Sequence, residues 1–225
     1  MRNMYRAELD QIAEGITEIA QLVNTATKQA TDALFNNNLE LAEEVIEGDS
    51  QIDQQQISLD EHSIDIIARQ APVASDLRIL VASLRMSASL ERMGDLARHT
   101  SQLVRLRYPE EVVPKELEST FKKMAKLDIE ITDLLVKLLE ERNFDIIERI
   151  IRLKEKVSQI HMALFTTLNS GEHKLTPQQT IDLVLLSRYF ERISDHAVSV
   201  STKVYYLATG EWRTGTLPLI ADEDE

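Results

Sequence analysis

The residues best suited to chemistry in this chain are carboxylates that recur in pairs. Residues 90–99 read LERMGDLARH and residues 190–199 read FERISDHAVS. Both carry Glu-Arg-x-x-Asp, so Glu91 stands four residues before Asp95, and Glu191 four before Asp195. Positions i and i+4 are neighbours on a helix face, where two like charges repel unless a cation compensates them. Asp49 and Asp53 form a third pair with the same spacing. Clustered carboxylate oxygens suit hard cations and iron or manganese. The competing reading is a solvated helix face with local salt bridges to Arg92, Arg98 and Arg192.

Elements that would position these carboxylates follow from the punctuation. Gly (6) and Pro (5) are scarce in 225 residues, which favours long helices over strands joined by tight turns. Helical patterns run over about 2–36, 39–69, 75–108, 115–141, 144–169 and 177–209. They are broken at the Asn run 36–38, at Pro72, at YPEEVVP (108–114) and at NSGEHKLTP. Thr176 is the expected N-cap of the last helix, with Pro177 at its first position and Gly210 at its C-terminus. The expectation is an all-α chain of six helices, forming two pseudo-repeated antiparallel three-helix bundles over 1–108 and 115–210. A proline-containing linker (109–114) joins them, and an irregular acidic tail (211–225) follows.

The two halves read as copies. Leu186, Phe190, Ile193, Ala197, Val200 and Val204 form a heptad-like seam, and Met86, Leu90, Met93, Ala97, Thr100 and Val104 repeat it one hundred residues earlier. The second helices align at an offset of 105, pairing Val45 with Ile150, Ile52 with Val157 and Leu59 with Leu164. In an antiparallel hairpin turning at Pro72, Asp53 and Glu91 stand 19 residues either side, and Asp49 and Asp95 stand 23. Four carboxylates then meet at one level. His99 extends the Glu91–Asp95 stripe by a turn and is an additional candidate ligand, with His196 at the edge of the second set.

Charge and composition exclude several classes. With 38 acidic against 25 basic residues the net charge is −13, which repels nucleic-acid phosphates but is compatible with cations or a basic protein partner. There is no cysteine, hence no thiolate site or disulfide. MRNMYRAELD lacks the apolar core of a signal peptide, and no apolar run reaches the ~18–20 residues that span a bilayer. A cytosolic location is expected, with the membrane reached only through partners. No Gly-rich phosphate loop, nucleophile–base set or Glu-x-x-His motif of di-iron bundles is present, so catalysis is not expected. A metal-dependent helical oxidase and a helical adaptor unrelated to phosphate stay open as alternatives.

QAPVASDLRIL (70–80) with LERMGDLARH, and RYFERISDHAVSV (188–200), resemble the paired segments of PhoU-family phosphate-signalling proteins, over nearly the whole chain. The resemblance implies two three-helix bundles. It also implies a non-enzymatic cytosolic regulator that links a phosphate ABC transporter to a sensor histidine kinase and restrains both, commonly as a homodimer. Members bind metal through Glu/Asp-x-x-x-Asp motifs, which fall here on Asp49 with Asp53, Glu91 with Asp95, and Glu191 with Asp195. Iron, manganese, zinc and magnesium all remain candidates. The fourth motif departs from the pattern: Lys154 and Ser158 stand where Asp49 and Asp53 stand in the first half, leaving Glu155 nearby. The first bundle is therefore expected to hold metal more tightly, Lys154 acting as a built-in substitute in the second.

Overall fold

A computed structural model describes residues 2–210; the acidic-tail expectation for 211–225 lies outside the described residues. Six helices account for the fold: α1 (Arg2–Asn36), α2 (Leu39–Gln70), α3 (Ser75–Arg107), α4 (Lys115–Glu141), α5 (Asp145–Asn169) and α6 (Pro177–Thr209). Their boundaries follow local chemistry. Asn38 caps α2 by accepting from the Leu41 amide at 3.1 Å. Thr176 and Gln179 form a reciprocal capping box at the start of α6. Gly210 ends α6 in the left-handed region, φ 77°, which only glycine enters without a Cβ penalty. Among the described residues no helix is long and apolar enough to cross a membrane.

Helices α1, α2 and α3 pack on one another, as do α4, α5 and α6, and the two sets meet through α1 against α4 and α3 against α6. The expected seams are buried: Met86, Leu90, Met93, Ala97 and Val104 on α3, and Leu186, Phe190, Ile193, Ala197, Val200 and Val204 on α6. One contiguous apolar core runs through both sets. Segment 109–114 is non-helical, as its prolines dictate, yet Val112 and Val113 are buried in that same core. It fastens the halves together rather than spacing them apart.

Polar contacts reinforce this union. Arg107 of α3 grips the buried Asp182 of α6 with two nitrogens, at 2.5 and 3.0 Å. Such a fork-to-carboxylate pair is directional as well as strong. On the other flank, Lys28 and Asn24 of α1 both reach Asp133 of α4, at 2.6 and 2.9 Å.

Within the first set, α2 packs tightly on α3 at Gly94. A Cβ there would stand 2.8 Å from Ile52 Cδ1 and 3.3 Å from Asp49 Oδ1. Gly48, one helix away and exposed, faces open space. Alanine favours a helix interior by about 0.5–1 kcal/mol over glycine, whereas overpacking a buried contact costs roughly 1–3 kcal/mol. Denaturant unfolding should therefore show opposite signs. Gly48→Ala should stabilise by about 0.5–1 kcal/mol, and Gly94→Ala should destabilise by about 1 kcal/mol.

Candidate carboxylate sites

The α2–α3 hairpin places Asp49, Asp53 and Asp95 within electrostatic reach of Glu91. Asp49 is 7% exposed, Glu91 and Asp95 are half-buried, and Asp53 is exposed. Burial raises the Glu91 pKa above its usual range, and the negative charges of Asp95, Asp53 and Asp49 add to this against the opposing charge of Arg92. Burial also raises that of Asp49; Arg98 opposes the shift, while Asp53 and Asp95 add to it. For Asp95, burial pushes upward too, but the hydrogen bond and charge of Arg98, joined by Arg92, hold it below the ordinary range.

Arg98 lies inside this cluster. Its Nε stands 2.5 Å from Asp49 Oδ2, and its Nη2 contacts Asp95. Arg92 reaches Asp95 at 2.8 Å and Glu91 at 3.4 Å. Local sequence proximity suggested Arg98 only as a surface salt-bridge partner; the structure places it across the helix gap, on Asp49. Asp49 Oδ1 is buried with no hydrogen-bond partner.

The second set has its own cation, as the substitution at position 154 predicted. Lys154 Nζ lies 3.2 Å from Asp195 Oδ1, and Arg188 contacts Glu191. Each acidic set thus carries a compensating cation, Arg98 in the first and Lys154 in the second. Glu155 is exposed. His99 stacks against Tyr189 of α6, ring centroids 5.5 Å apart. His196 Nε2 lies 3.4 Å from Arg192 Nη2, on the α3–α6 seam. Among the described residues no group of three or more His, Asp or Glu side chains is gathered closely enough to hold a metal ion.

The residue missed in the sequence is Asp128 of α4. It is fully buried, and both carboxylate oxygens lack a hydrogen-bond partner. Its pKa is driven well above the ordinary range by desolvation first, then by the charges of Asp195 and Glu191. A signal was available. Leu117, Phe121, Met124, Asp128, Ile131, Leu135 and Leu138 alternate spacings of four and three, an apolar seam with one carboxylate written into it. The second set therefore has three acidic members: Asp128, Glu191 and Asp195.

Comparison with known proteins gives the lineage of this architecture. A family model for the PhoU domain matches the chain twice, over residues 16–104 and 121–204. The chain belongs to the PhoU family. Each match falls within one set of three helices, which supports reading the halves as repeats. The chain is 32% identical over 212 residues to the Mycobacterium leprae protein named phosphate-specific transport system accessory protein PhoU homolog 1, covering 94% of this chain and 96% of that one. It is 33% identical over 210 residues to PhoU homolog 2 of Mycobacterium tuberculosis, covering 93% and 99%. In fold it is similar to the crystal structure of PhoU from Pseudomonas aeruginosa, with TM-score 0.84, 24% identity and 92% and 100% of the chains covered. The phosphate transport system regulatory protein PhoU from Streptococcus pneumoniae gives TM-score 0.82 at 23% identity, covering 92% and 98%.

The state of Asp128 has a thermodynamic consequence. A carboxyl with a raised folded-state pKa binds its proton more tightly folded than unfolded. Its stabilisation is complete below the unfolded pKa, near 4, and is lost as pH rises through the folded value. In metal-free buffer, Asp128→Asn should match the parent near pH 4 and exceed it at pH 8 by about 1 kcal/mol or more, since one pKa unit corresponds to about 1.4 kcal/mol. Urea titrations across that range provide the check, and parallel pH profiles would show that Asp128 is not the titrating group.

Proposed function

We propose that this chain is a cytosolic negative regulator of phosphate uptake and phosphate-responsive signalling. It acts by protein contact, on subunits of a phosphate ABC transporter and on a sensor histidine kinase, and it works as a homodimer. The observation that carries this reading is the pair of PhoU-domain matches over both halves of the chain, in company with relatives named accessory proteins of phosphate-specific transport. The outer faces of α2 and α5 are consistent with work by contact. Each helix packs only within its own set and leaves large apolar side chains exposed, Ile57 and Ile64 on one, Met162 and Phe165 on the other. Removing the chain from its host should raise phosphate uptake and phosphate-starvation reporter expression in phosphate-replete medium. Re-expression should restore both, and crosslinking should recover the transporter ATPase. Unchanged uptake and reporter levels in the deletion strain would refute the reading.

Metal ions enter this reading as modulatory ligands of the two acidic sets, whose members would have to draw closer on binding than they stand here, where no three of them converge. Oxygen-only donors favour hard cations and iron or manganese. The orphaned Asp49 Oδ1 and Asp128 oxygens are buried acceptors without donors, a condition a bound cation would relieve. Asp49, Asp53, Glu91 and Asp95 would hold one group, and Asp128, Glu191 and Asp195 the other. Binding would exchange metal for the charge of Arg98 in the first set and Lys154 in the second. Elemental analysis of protein purified without chelators should find metal that falls in both Asp49→Asn/Asp95→Asn and Asp128→Asn/Asp195→Asn. Metal-free parent protein that takes up none of iron, manganese, zinc or magnesium on dialysis would return all seven residues to structural roles.

A further inference from the structure

In a chain of net charge −13, one face gathers cations. Along α3, Arg78, Arg85, Arg92 and His99 recur every seven residues, which keeps them on one side of the helix. Helix α6 lies antiparallel beside it, because Arg107 meets Asp182, His99 meets Tyr189 and Arg78 lies over Tyr206 at 5.3 Å. Arg192, His196, Ser199 and Lys203, spaced four, three and four, therefore face the α3 stripe. Burial and the positive charges of Arg192, Arg92 and Lys203 act on the His196 ring against the opposing charge of Asp195, and the charge of Arg85 acts on Lys203.

Three of these cations have no carboxylate partner among the described residues. Arg85 and Arg192 are exposed and make no ion pair. Lys203 is half-buried, and its ammonium donates to the Ser199 carbonyl at 3.0 Å and to Ser199 Oγ at 2.6 Å. Those contacts orient the ammonium without neutralising it. Of the stripe, Arg92 is already paired with Asp95 and Glu91; the other neighbouring acids are engaged off the seam, Glu191 with Arg188, Asp195 with Lys154 and Asp182 with Arg107. Burial, and then the Arg85 charge, lowers the Lys203 pKa, as expected where like charges converge without a counter-anion.

We propose that the α3–α6 seam is a binding site for a linear phosphoryl polyanion, of which tripolyphosphate is the simplest probe. Arg85 and Lys203 hold one end, and Arg192 holds the other beside Arg92 and His196. Seven helical residues, from Arg85 to Arg92 and from Lys203 to His196, rise about 10 Å, and Arg192 stands one turn farther along α6, so the two ends lie too far apart for one compact oxyanion and suit a chain of phosphoryl groups. Guanidinium forks match phosphoryl oxygens in geometry, and the ammonium adds a point charge. The seam needs both halves of the chain, one helix from each. This inference rests on the unpaired cations and not on the regulatory reading above.

Isothermal titration of metal-free protein with tripolyphosphate tests it. One-to-one binding is expected, much tighter than that of orthophosphate and weakened by salt. Arg85→Ala with Lys203→Gln should weaken it at least tenfold. Arg192→Ala alone should weaken it several-fold, and because Arg192 is exposed that variant remains informative if the double variant folds poorly. Lys123→Ala with Lys126→Ala, an equal charge change on the exposed face of α4, should bind like the parent. No binding by the parent at low salt would overturn the proposal. So would seam variants that bind like the α4 control, or polyglutamate of matched charge binding as tightly.

Discussion

The antiparallel contact of α3 with α6 is the constraint on which the arrangement depends. Each helix carries its own set's seam on one side and its partner helix on another, so their relative slide fixes the level of every residue between the halves. That slide is pinned by Arg107 on Asp182 at one end and Arg78 over Tyr206 at the other. With α3 and α6 so aligned, the two copies of Glu-Arg-x-x-Asp lie at one height. The acids of each copy turn toward their own set, Asp95 to Asp49 through Arg98 and Asp195 to Lys154. Arg92 pairs with Asp95 and Glu91 of its own helix while its charge reaches His196 of α6, and Arg192 lies 3.4 Å from the same His196 along α6. One pentapeptide thereby serves two surfaces, and the charges of its two arginines meet at one histidine.

Close approach within the first set depends on a second device. Gly94 sits between Glu91 and Asp95 in sequence but on the buried side of α3, and it lets Ile52 and Asp49 of α2 come within contact of the backbone. The distance between α2 and α3 decides whether Arg98 can bridge Asp49 and Asp95. In the second set Ser194 occupies the corresponding place, and the partner side chain at the Asp49 position is the longer Lys154. A longer cation on the facing helix reaches across to its acid, while a short carboxylate must be met from α3.

Much of this was legible in the sequence, for physical reasons. Helix ends were written in Asn38, Thr176, Pro177 and Gly210, whose preferences are local and strong. The seams were legible because a heptad pattern admits few registers, and the equal distances of Asp53 and Glu91 from Pro72 pointed to acids of α2 and α3 that do feel one another's charge. Side-chain direction was harder to read. Arg98 was visible only as a neighbour of Asp95, because its pairing with Asp49 depends on interhelical spacing that no local pattern encodes. Asp128 was legible in principle, as the polar member of an otherwise apolar seam. The Glu/Asp-x-x-x-Asp spacing does not reach it, because Asp128 has no acidic partner four residues away on its own helix. Likewise, Arg78, Arg85, Arg92 and His99 keep a plain seven-residue spacing whose meaning appears only when α6 is laid beside them.

The buried carboxylates pose the sharper physical question. Asp128 has neither hydrogen bond nor cation, in a protein that meets nearly the same need at Asp182 with a two-pronged arginine. Burying a polar group without a partner costs a few kcal/mol, and a leucine at position 128 would continue the seam at no such cost. Val23 shows as much: at the 105-residue offset it is the first-half counterpart of Asp128, and it is buried and apolar. The same backbone position therefore accepts an aliphatic side chain, so packing does not require the acid. What distinguishes position 128 is its outlook onto Asp195 and Glu191, whose charges reach it. An acid retained there, against solvation and against its neighbours, makes physical sense when a cation or a proton completes the site. At position 128, local instability and proton affinity are two aspects of the same side chain.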